Sequence, residues 1–506
     1  MSFVSNKMEK EIPAILLLAG QKTYGRTKSN VPIYRCVPNN PELSPMLVPY
    51  KMKSMGFTKV FSNLYVLVTS NQTCENKGTL VNVLGPTNDV NAFYEYQIIC
   101  KNLNISLTNL TKTLIRKKIT PELQITDAWI AKYHVRDCRN ADAPHVYTID
   151  PAGCKDFDDA FSIRKDKDGN SEKIILTIYI ANVPVILDTL ELWDQLSERT
   201  ATIYLPNTKR PMLPPILSEG LCSLKAGSDR VTFAMEFSLK NNTMTYLSHY
   251  NCLVRVQRNF VYEENALLHN KDYQLLKQTF SDAVDSHEMV ERMMIGMNAQ
   301  SAALLIQKQR GIFRTVTKKE DSGEYDTINS PAQKHIYNWK CMHGQYVMYD
   351  ESDTATFRHA TLDLDAYAHV TSPIRRLVDV INMSWLCFSE SPSYFSFENR
   401  CTAAAWLEGL NEQMKAIQSV QNTCNLLDKI TNTPFITDEI FDGHVFDENM
   451  VYIPSLHLTT KFTAQMETKQ SNEPSLTNKG KFRLFLFSDE HALYKKVRIM
   501  RVLENE

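Results

Sequence analysis

Asp150, Asp156, Asp158 and Asp159 fall within ten consecutive residues, in the run from Tyr147 to Ile163. Carboxylates this close repel one another unless a cation lies among them. Pro151 and Gly153 break regular structure directly after Asp150, so the chain can turn there and bring Asp150 opposite the other three. An all-oxygen pocket of that kind suits a hard divalent ion, Mg²⁺ above all, which keeps some water and completes its shell with phosphate oxygens. A solvated acidic turn is the alternative meaning of such a run. The apolar flanks Tyr147, Ile149, Phe157, Phe161 and Ile163 argue instead for burial at a strand edge. A helix-loop-helix calcium site does not fit, because Lys155 stands where that loop needs glycine and its closing glutamate is missing. Zinc does not fit either, since His145 and Cys154 have no second pair of soft ligands nearby.

A second group lies far along the chain, from His369 to Arg376, followed by Asp379 and Asn382. Ser372 before Pro373 predicts a helix start, with Arg375 and Arg376 in its first turn. Free amides and forked guanidinium groups there suit a phosphate. The alternative is a solvated helix start whose arginines pair with Asp379. A carboxylate metal pocket and a phosphate-holding arginine pair are the two halves of a site for cleaving phosphodiesters.

The elements that must position these groups follow from patterning. A chain of 506 residues with 43% hydrophobic content is too long for one compact core and predicts several domains. Up to about residue 130, short alternating runs such as Leu64 to Thr69 and Thr79 to Leu84 are separated by turn clusters, which predicts a small β-barrel. The middle alternates strand-like segments (Ile174 to Ile180, Val231 to Phe237, Tyr246 to Val256) with helical ones over Asp282 to Gln309, Ser372 to Phe388 and Thr402 to Leu427. On the last of these, Trp406, Leu410, Met414, Ile417, Val420, Cys424 and Leu427 form one apolar face, read as packing. Asp166 to Gly169 reads as a hairpin turn. After about 431, short strands return around a polar loop from Ser471 to Gly480, predicting a second small barrel.

The run from Thr148 to Ser162 resembles the aspartate signature of the ribonuclease II family, whose catalytic module is the RNB domain, and Tyr367 to Arg376 resembles that family's arginine signature. Arg199 to Pro206, Pro211 to Pro214 and Leu217 to Leu224 resemble the family too, in its order. Lys77 to Gly85 resembles the cold-shock-type OB barrel that precedes RNB domains. The resemblance therefore implies an α+β multidomain chain: an N-terminal OB, cold-shock-like region over 1–130, a mixed α/β RNB catalytic domain over 131–430, and a C-terminal S1-like OB β-barrel over 431–506.

It further implies a 3′-to-5′ hydrolytic exoribonuclease that threads single-stranded RNA and releases nucleoside 5′-monophosphates. Asp150, Asp156, Asp158 and Asp159 would hold two Mg²⁺ ions, with Mn²⁺ as a possible substitute, and Asp159 is the member expected to be indispensable. Arg375 matches the arginine that clamps the scissile phosphate, and Arg376 beside it is expected to contact RNA. Tyr204 matches the tyrosine that stacks on the 3′-terminal nucleotide; Tyr262 and Glu291 resemble a second tyrosine and a glutamate near the RNA end. Leu377 and Met383 depart from the family's tyrosine and histidine. The partner that sandwiches a base against Tyr204 has no place in the short segment from Tyr262 to Glu291. The family's late catalytic glutamate falls near Gln418 or Ser419, neither of them acidic, so the second expectation is a catalytically weakened RNB-fold protein that binds RNA or assembles complexes.

A net charge of −1 means that RNA must be held by local basic patches, for which Arg116 to Lys118 and Lys308, Arg310, Arg314, Lys318 and Lys319 are candidates. Eleven scattered cysteines without a CxxC pair predict a reducing, intracellular setting, the cytoplasm rather than the nucleus. There is no signal-peptide-like start and no apolar run of membrane-spanning length, so no membrane partner is expected. A monomer is expected, with an RNA-decay complex as possible partner.

Overall fold

The computed structural model describes residues 11–51, 61–70, 76–123, 125–139, 144–168, 171–196, 198–318, 330–352, 354–388, 392–401, 404–446, 449–463, 478–486 and 497–502. The first unit is a curled antiparallel sheet of β1 (Ile12–Leu16), β2 (Ile33–Pro38), β3 (Met46–Pro49), β4 (Leu64–Ser70) and β5 (Gly78–Pro86), ordered β3-β2-β1-β4-β5. Period-two alternation in β2 sends Tyr34 and Cys36 inward to Ala14, Leu16, Val66 and Val68. Helices α1 (Val90–Cys100), α2 (Thr108–Arg116) and α3 (Asp127–Lys132) follow, so the stretch after residue 89 is helical, not a continuation of the barrel. Asp89 caps α1 by accepting from Asn91 N at 2.9 Å.

The central sheet is mixed and seven-stranded, in the order β14-β7-β8-β9-β12-β13-β6. Its members are β6 (Arg136–Asp137), β7 (Tyr147–Asp150), β8 (Asp159–Asp168), β9 (Ser171–Ala181), β12 (Asp229–Lys240), β13 (Thr243–Arg255) and β14 (Arg258–Val261), with the short hairpin β10 (Ile203–Tyr204) and β11 (Lys209–Arg210) outside it. β8 and β9 pair antiparallel out to Asp168↔Ser171, as a hairpin at Asp166–Gly169 requires; residues 169–170 themselves lie outside the described residues. Helices α4 (Val183–Thr189), α5 (Asn265–Leu268), α6 (Lys271–Thr279), α7 (Ser286–Gln307), α9 (Leu377–Cys387), α10 (Pro392–Cys401) and α11 (Ala404–Asn432) complete this unit, with β15 (Ile312–Lys318) and β16 (Met342–Met348) flanking α8 (Pro331–Cys341). One core joins sheet and helices: Phe161, Ile178 and Phe233 meet Met293, Ile374 and Val380 in the same buried cluster.

α11 buries Leu410, Ile417, Val420, Cys424 and Leu427, the stripe its periodicity predicts, with Trp406 and Met414 partly buried beside it. The helix predicted from Ser372 starts later, at Leu377. Asp379 explains the delay. Its carboxylate accepts from Ser372 N at 2.7 Å and grips Arg376, so residues 372–376 fold as a turn over α9 and Arg376 stays extended at φ −135°, ψ 128°. The same stretch is tied to the chain before β10 through Thr202 N to Arg375 O at 2.9 Å and Leu377 N to Thr200 O at 2.8 Å.

The last unit is another curled antiparallel sheet, of β17 (Phe441–Phe446), β18 (Met450–Ile453), β19 (Leu458–Lys461), β20 (Asn478–Leu486) and β21 (Val497–Val502), ordered β19-β18-β17-β20-β21. Most of the predicted loop at Ser471–Gly480 lies outside the described residues. The chain is thus α+β, with two curled half-barrels around a central mixed sheet. Every described cysteine is free, and among the described residues no helix is long and apolar enough to cross a membrane.

Candidate active site

β7 ends at Asp150 because the next residues cannot continue it. Pro151 interrupts the strand and Gly153 takes φ +80°, closing a turn through Cys154 N to Pro151 O at 3.1 Å. The chain re-enters the sheet at Asp159, opposite Ile180 of β9. Two strand ends and the loop between them therefore aim all four aspartates into one cavity of about 970 Å³. Its walls also carry Tyr204, Tyr262, Glu291, Arg375 and Arg376, so the aspartates, the arginine pair and the residues matched to the RNA end face the same space; of the described residues in the basic patches proposed for RNA, only Arg314 reaches it.

The acids are not equivalent. Asp158 is buried, accepts from Ile374 N at 2.8 Å, and lies 3.2 Å from Arg375 Nε. Burial nonetheless pushes its carboxyl up to about 7, against the pull of Arg375 and the Ile374 amide. Asp150 is raised to about 6 by burial, opposed by Thr148 and Arg375 and reinforced by Asp156; its Oδ2 is buried with no hydrogen-bond partner. Asp159 is raised well above the carboxylate range by burial and then by the charges of Asp150 and Asp158. Asp156 has a cationic partner of its own: Lys209 Nζ lies 2.9 Å from Asp156 Oδ1 and 2.9 Å from Glu219 Oε1.

An orphaned carboxylate oxygen, together with acids that burial and mutual repulsion hold near neutrality, is the electrostatic state that a hard divalent cation relieves. The donor set is oxygen throughout, which fits Mg²⁺ or Mn²⁺. Among the described residues no three His, Cys, Asp or Glu side chains converge tightly enough to enclose an ion by themselves. An ion here would therefore keep water or take oxygens from a substrate, as Mg²⁺ commonly does.

The opposite wall comes from the segment before α9. Arg375 Nη2 donates to Ser372 Oγ at 3.1 Å, leaving the guanidinium between Asp158 and the side chain of Tyr204. Arg376 is committed elsewhere, with Nε and Nη2 both 2.9 Å from the Asp379 carboxylate, which is wholly buried. Tyr204 stands at the end of β10 with 40% of its surface exposed, and its backbone N donates to Gln421 Oε1 of α11 at 2.8 Å. Tyr262 follows β14, donates its backbone N to Asp150 O at 3.1 Å, and stacks on His287 with ring centroids 3.7 Å apart and planes 11° from parallel. Glu291 projects from the second turn of α7. Asn298 of α7 fastens the arginine segment by accepting from Val370 N at 2.9 Å and donating to Tyr367 Oη at 3.0 Å.

Lys209 and His287 also face this cavity and Gln421 lies behind Tyr204, and no pattern in the sequence marks them. Each is a single polar residue in an ordinary local context, and only the crossing of distant segments gives it a role.

The family model that describes the RNB domain matches residues 136–282 and 268–387. Ribonuclease R of Chlamydia trachomatis is 27% identical over 315 residues, spanning 46% of this chain and 44% of that protein. Ribonuclease R of Helicobacter pylori is 26% identical over 361 residues, 56% of this chain and 54% of its own. The chain thus spans about half the length of these relatives. Among solved structures, Mycoplasma genitalium RNase R in complex with ribose methylated single-stranded RNA superimposes with a TM-score of 0.72 at 16% identity, over 98% of this chain and 90% of that one. Yeast Ssd1, a pseudonuclease, gives 0.62 at 13% identity over 89% and 65%. The chain belongs to the RNB-domain family.

Proposed function

We propose that the chain is a 3′-to-5′ hydrolytic exoribonuclease that degrades single-stranded RNA to nucleoside 5′-monophosphates. One observation carries this reading: the four aspartates of one segment and Arg375 of another, more than two hundred residues later, line a single cleft, with Arg375 Nε 3.2 Å from Asp158. Arg375 holds the scissile phosphate against the acidic wall and offsets the charge that gathers on it. Tyr204 presents a ring on which any 3′-terminal base can stack, which suits a nuclease without sequence preference. Tyr262 and Glu291 border the same end of the strand.

In the hydrolysis, water attacks phosphorus, the bond to the 3′ oxygen of the preceding nucleotide breaks, and that oxygen leaves as the new 3′ hydroxyl. Two divalent ions held by Asp150, Asp156, Asp158 and Asp159 would supply water activation and charge neutralisation at the leaving oxygen. For Asp156 to join such a set, Lys209 must give it up or share it.

A second reading, an RNB-fold RNA-binding protein with weakened catalysis, is favoured by Gln418 and Ser419 of α11, which are neutral and exposed where the family places an acid. The fold itself serves nuclease and pseudonuclease alike, so only the site separates the two readings. A 5′-labelled single-stranded oligoribonucleotide is incubated with Mg²⁺ or with chelator. Metal-dependent shortening from the 3′ end, abolished in Asp159→Asn, supports the enzyme. Tight binding with no shortening would establish the second reading, and internal cuts on a circular RNA would reject 3′-end threading.

A further inference from the structure

Beside the aspartate cleft lies a second cavity, of about 430 Å³, walled by the start of β10, by β15 and β16, and by one face of α11. The two cavities share Tyr204, Arg314, His369, Arg375 and Arg376 as a common partition. Their charge balance differs, since six described Asp and Glu side chains line the first cavity alongside its cations. Arg314, Arg375, Arg376 and Lys415 line the second cavity, and no Asp or Glu is among its described lining residues.

Two of these cations are already balanced, Arg375 by Asp158 and Arg376 by Asp379. Arg314 and Lys415 have no carboxylate partner among the described residues. The Arg314 guanidinium lies over the Tyr346 ring, 5.3 Å from its centroid. Two uncompensated positive charges therefore face one small space. His369, half-buried in the partition, is kept neutral by burial and then by the charges of Arg376 and Arg314. Amide donors complete the wall: Gln421 spends its Oε1 on Tyr204 N, which leaves its NH₂ free to donate, and Gln418 is exposed on the next turn of α11. A phosphate monoester carries about two negative charges near neutral pH and several strong acceptor oxygens, whereas a phosphodiester carries one charge.

We propose that this second cavity is a subsite for the monoester phosphate of a released nucleoside 5′-monophosphate, reached from the aspartate cleft past Arg375. The inference rests on the hydrolytic reading above, because hydrolysis turns the diester beside Arg375 into a monoester and so creates the dianion that the cavity matches. Arg375 touches both spaces, and the product moves from a wall of four carboxylates toward a wall without any.

The test is calorimetric titration of the full chain in EDTA, so that no divalent ion bridges ligand and aspartates. AMP is expected to bind, while adenosine shows no detectable binding and the diester ApA binds at least about tenfold more weakly than AMP. Gln418→Glu and Lys415→Ala, both at exposed positions of α11, are each expected to weaken AMP by about tenfold, the effect of one charge beside a phosphate. Their circular dichroism should match that of the unaltered chain. AMP binding no tighter than adenosine, or undiminished in both variants, overturns the subsite. ApA binding as tightly as AMP overturns the assignment to product and gives the cavity to the strand backbone. Failure of the chain to shorten RNA removes the hydrolytic reading and with it the assignment to a released product, while the titration separately decides whether the cavity takes a phosphate monoester.

Discussion

The two walls of the central cleft handle buried charge in opposite ways. On the strand-borne wall, Asp150, Asp158 and Asp159 are crowded and pushed toward neutrality, and Asp150 Oδ2 has no partner at all. On the loop-borne wall, Arg376 is matched within its own turn by Asp379, and Ser372 and Asn298 tie down what surrounds it. One wall stores repulsion that an external ion can relieve; the other is satisfied from within and serves as a rigid frame. Function concentrates where the fold leaves charge unresolved. Arg375 belongs to both walls, fixed through Ser372 yet turned toward Asp158 and Tyr204.

This contrast breaks most sharply at Asp159. Asp159→Asn is expected to lower exonuclease turnover by on the order of a thousandfold or more in single-turnover assays, through loss of charge at the reacting centre. The same change should leave the metal-free protein as stable as before or raise its melting temperature by a few degrees, because it removes a repelling buried carboxylate. A large loss of metal-free stability would show that the acidic wall is structural.

Asp379→Asn should act the other way. It leaves the partly buried Arg376 guanidinium without its counter-charge at a wholly buried position, for a loss of about 3 kcal/mol in urea unfolding. Retention of full stability would mean that the arginine wall is not self-contained.

Added Mg²⁺ should raise the melting temperature along a saturable curve that chelator reverses, by roughly 2 to 3 kcal/mol in stability at a hundredfold excess over its dissociation constant. Asp150→Asn should flatten that curve. An undiminished response in the variant would place the ion elsewhere.

The smallest effect concerns His369, which burial and then Arg376 and Arg314 keep neutral well below the usual 6.5. In the unfolded chain this imidazole takes a proton at about 6.5, so the unfolded state binds more protons as pH falls. The contribution of His369 to stability is therefore fully present above about pH 6.5 and is lost progressively below it. Unfolding midpoints measured from pH 8 to 5 should decline less steeply in His369→Gln, and an equal decline would assign the acid sensitivity to other groups.

Much of this was legible in residue order. The carboxylate run with its Pro151 and Gly153 turn, the α11 stripe, and the alternation of both half-barrels depend on local spacing, which periodicity reports directly. Ser372 and Pro373 misled as a helix start, because a tertiary demand outweighed a local cap: Asp379 takes the Ser372 amide and holds Arg376 extended. Aspartates near residue 150 and an arginine near 375 are each suggestive in the chain, but that they meet across 3.2 Å follows only from the turn before α9 folding onto the loop between β7 and β8, where Ile374 N donates to Asp158. Lys209 on Asp156, Gln421 on the Tyr204 backbone, and the pairing of Arg314 with Lys415 across a cavity are invisible before folding. Linear order carries residue type and local period; which charges end up partnered, and which are left for a ligand, is decided when segments hundreds of residues apart exclude water from the space between them.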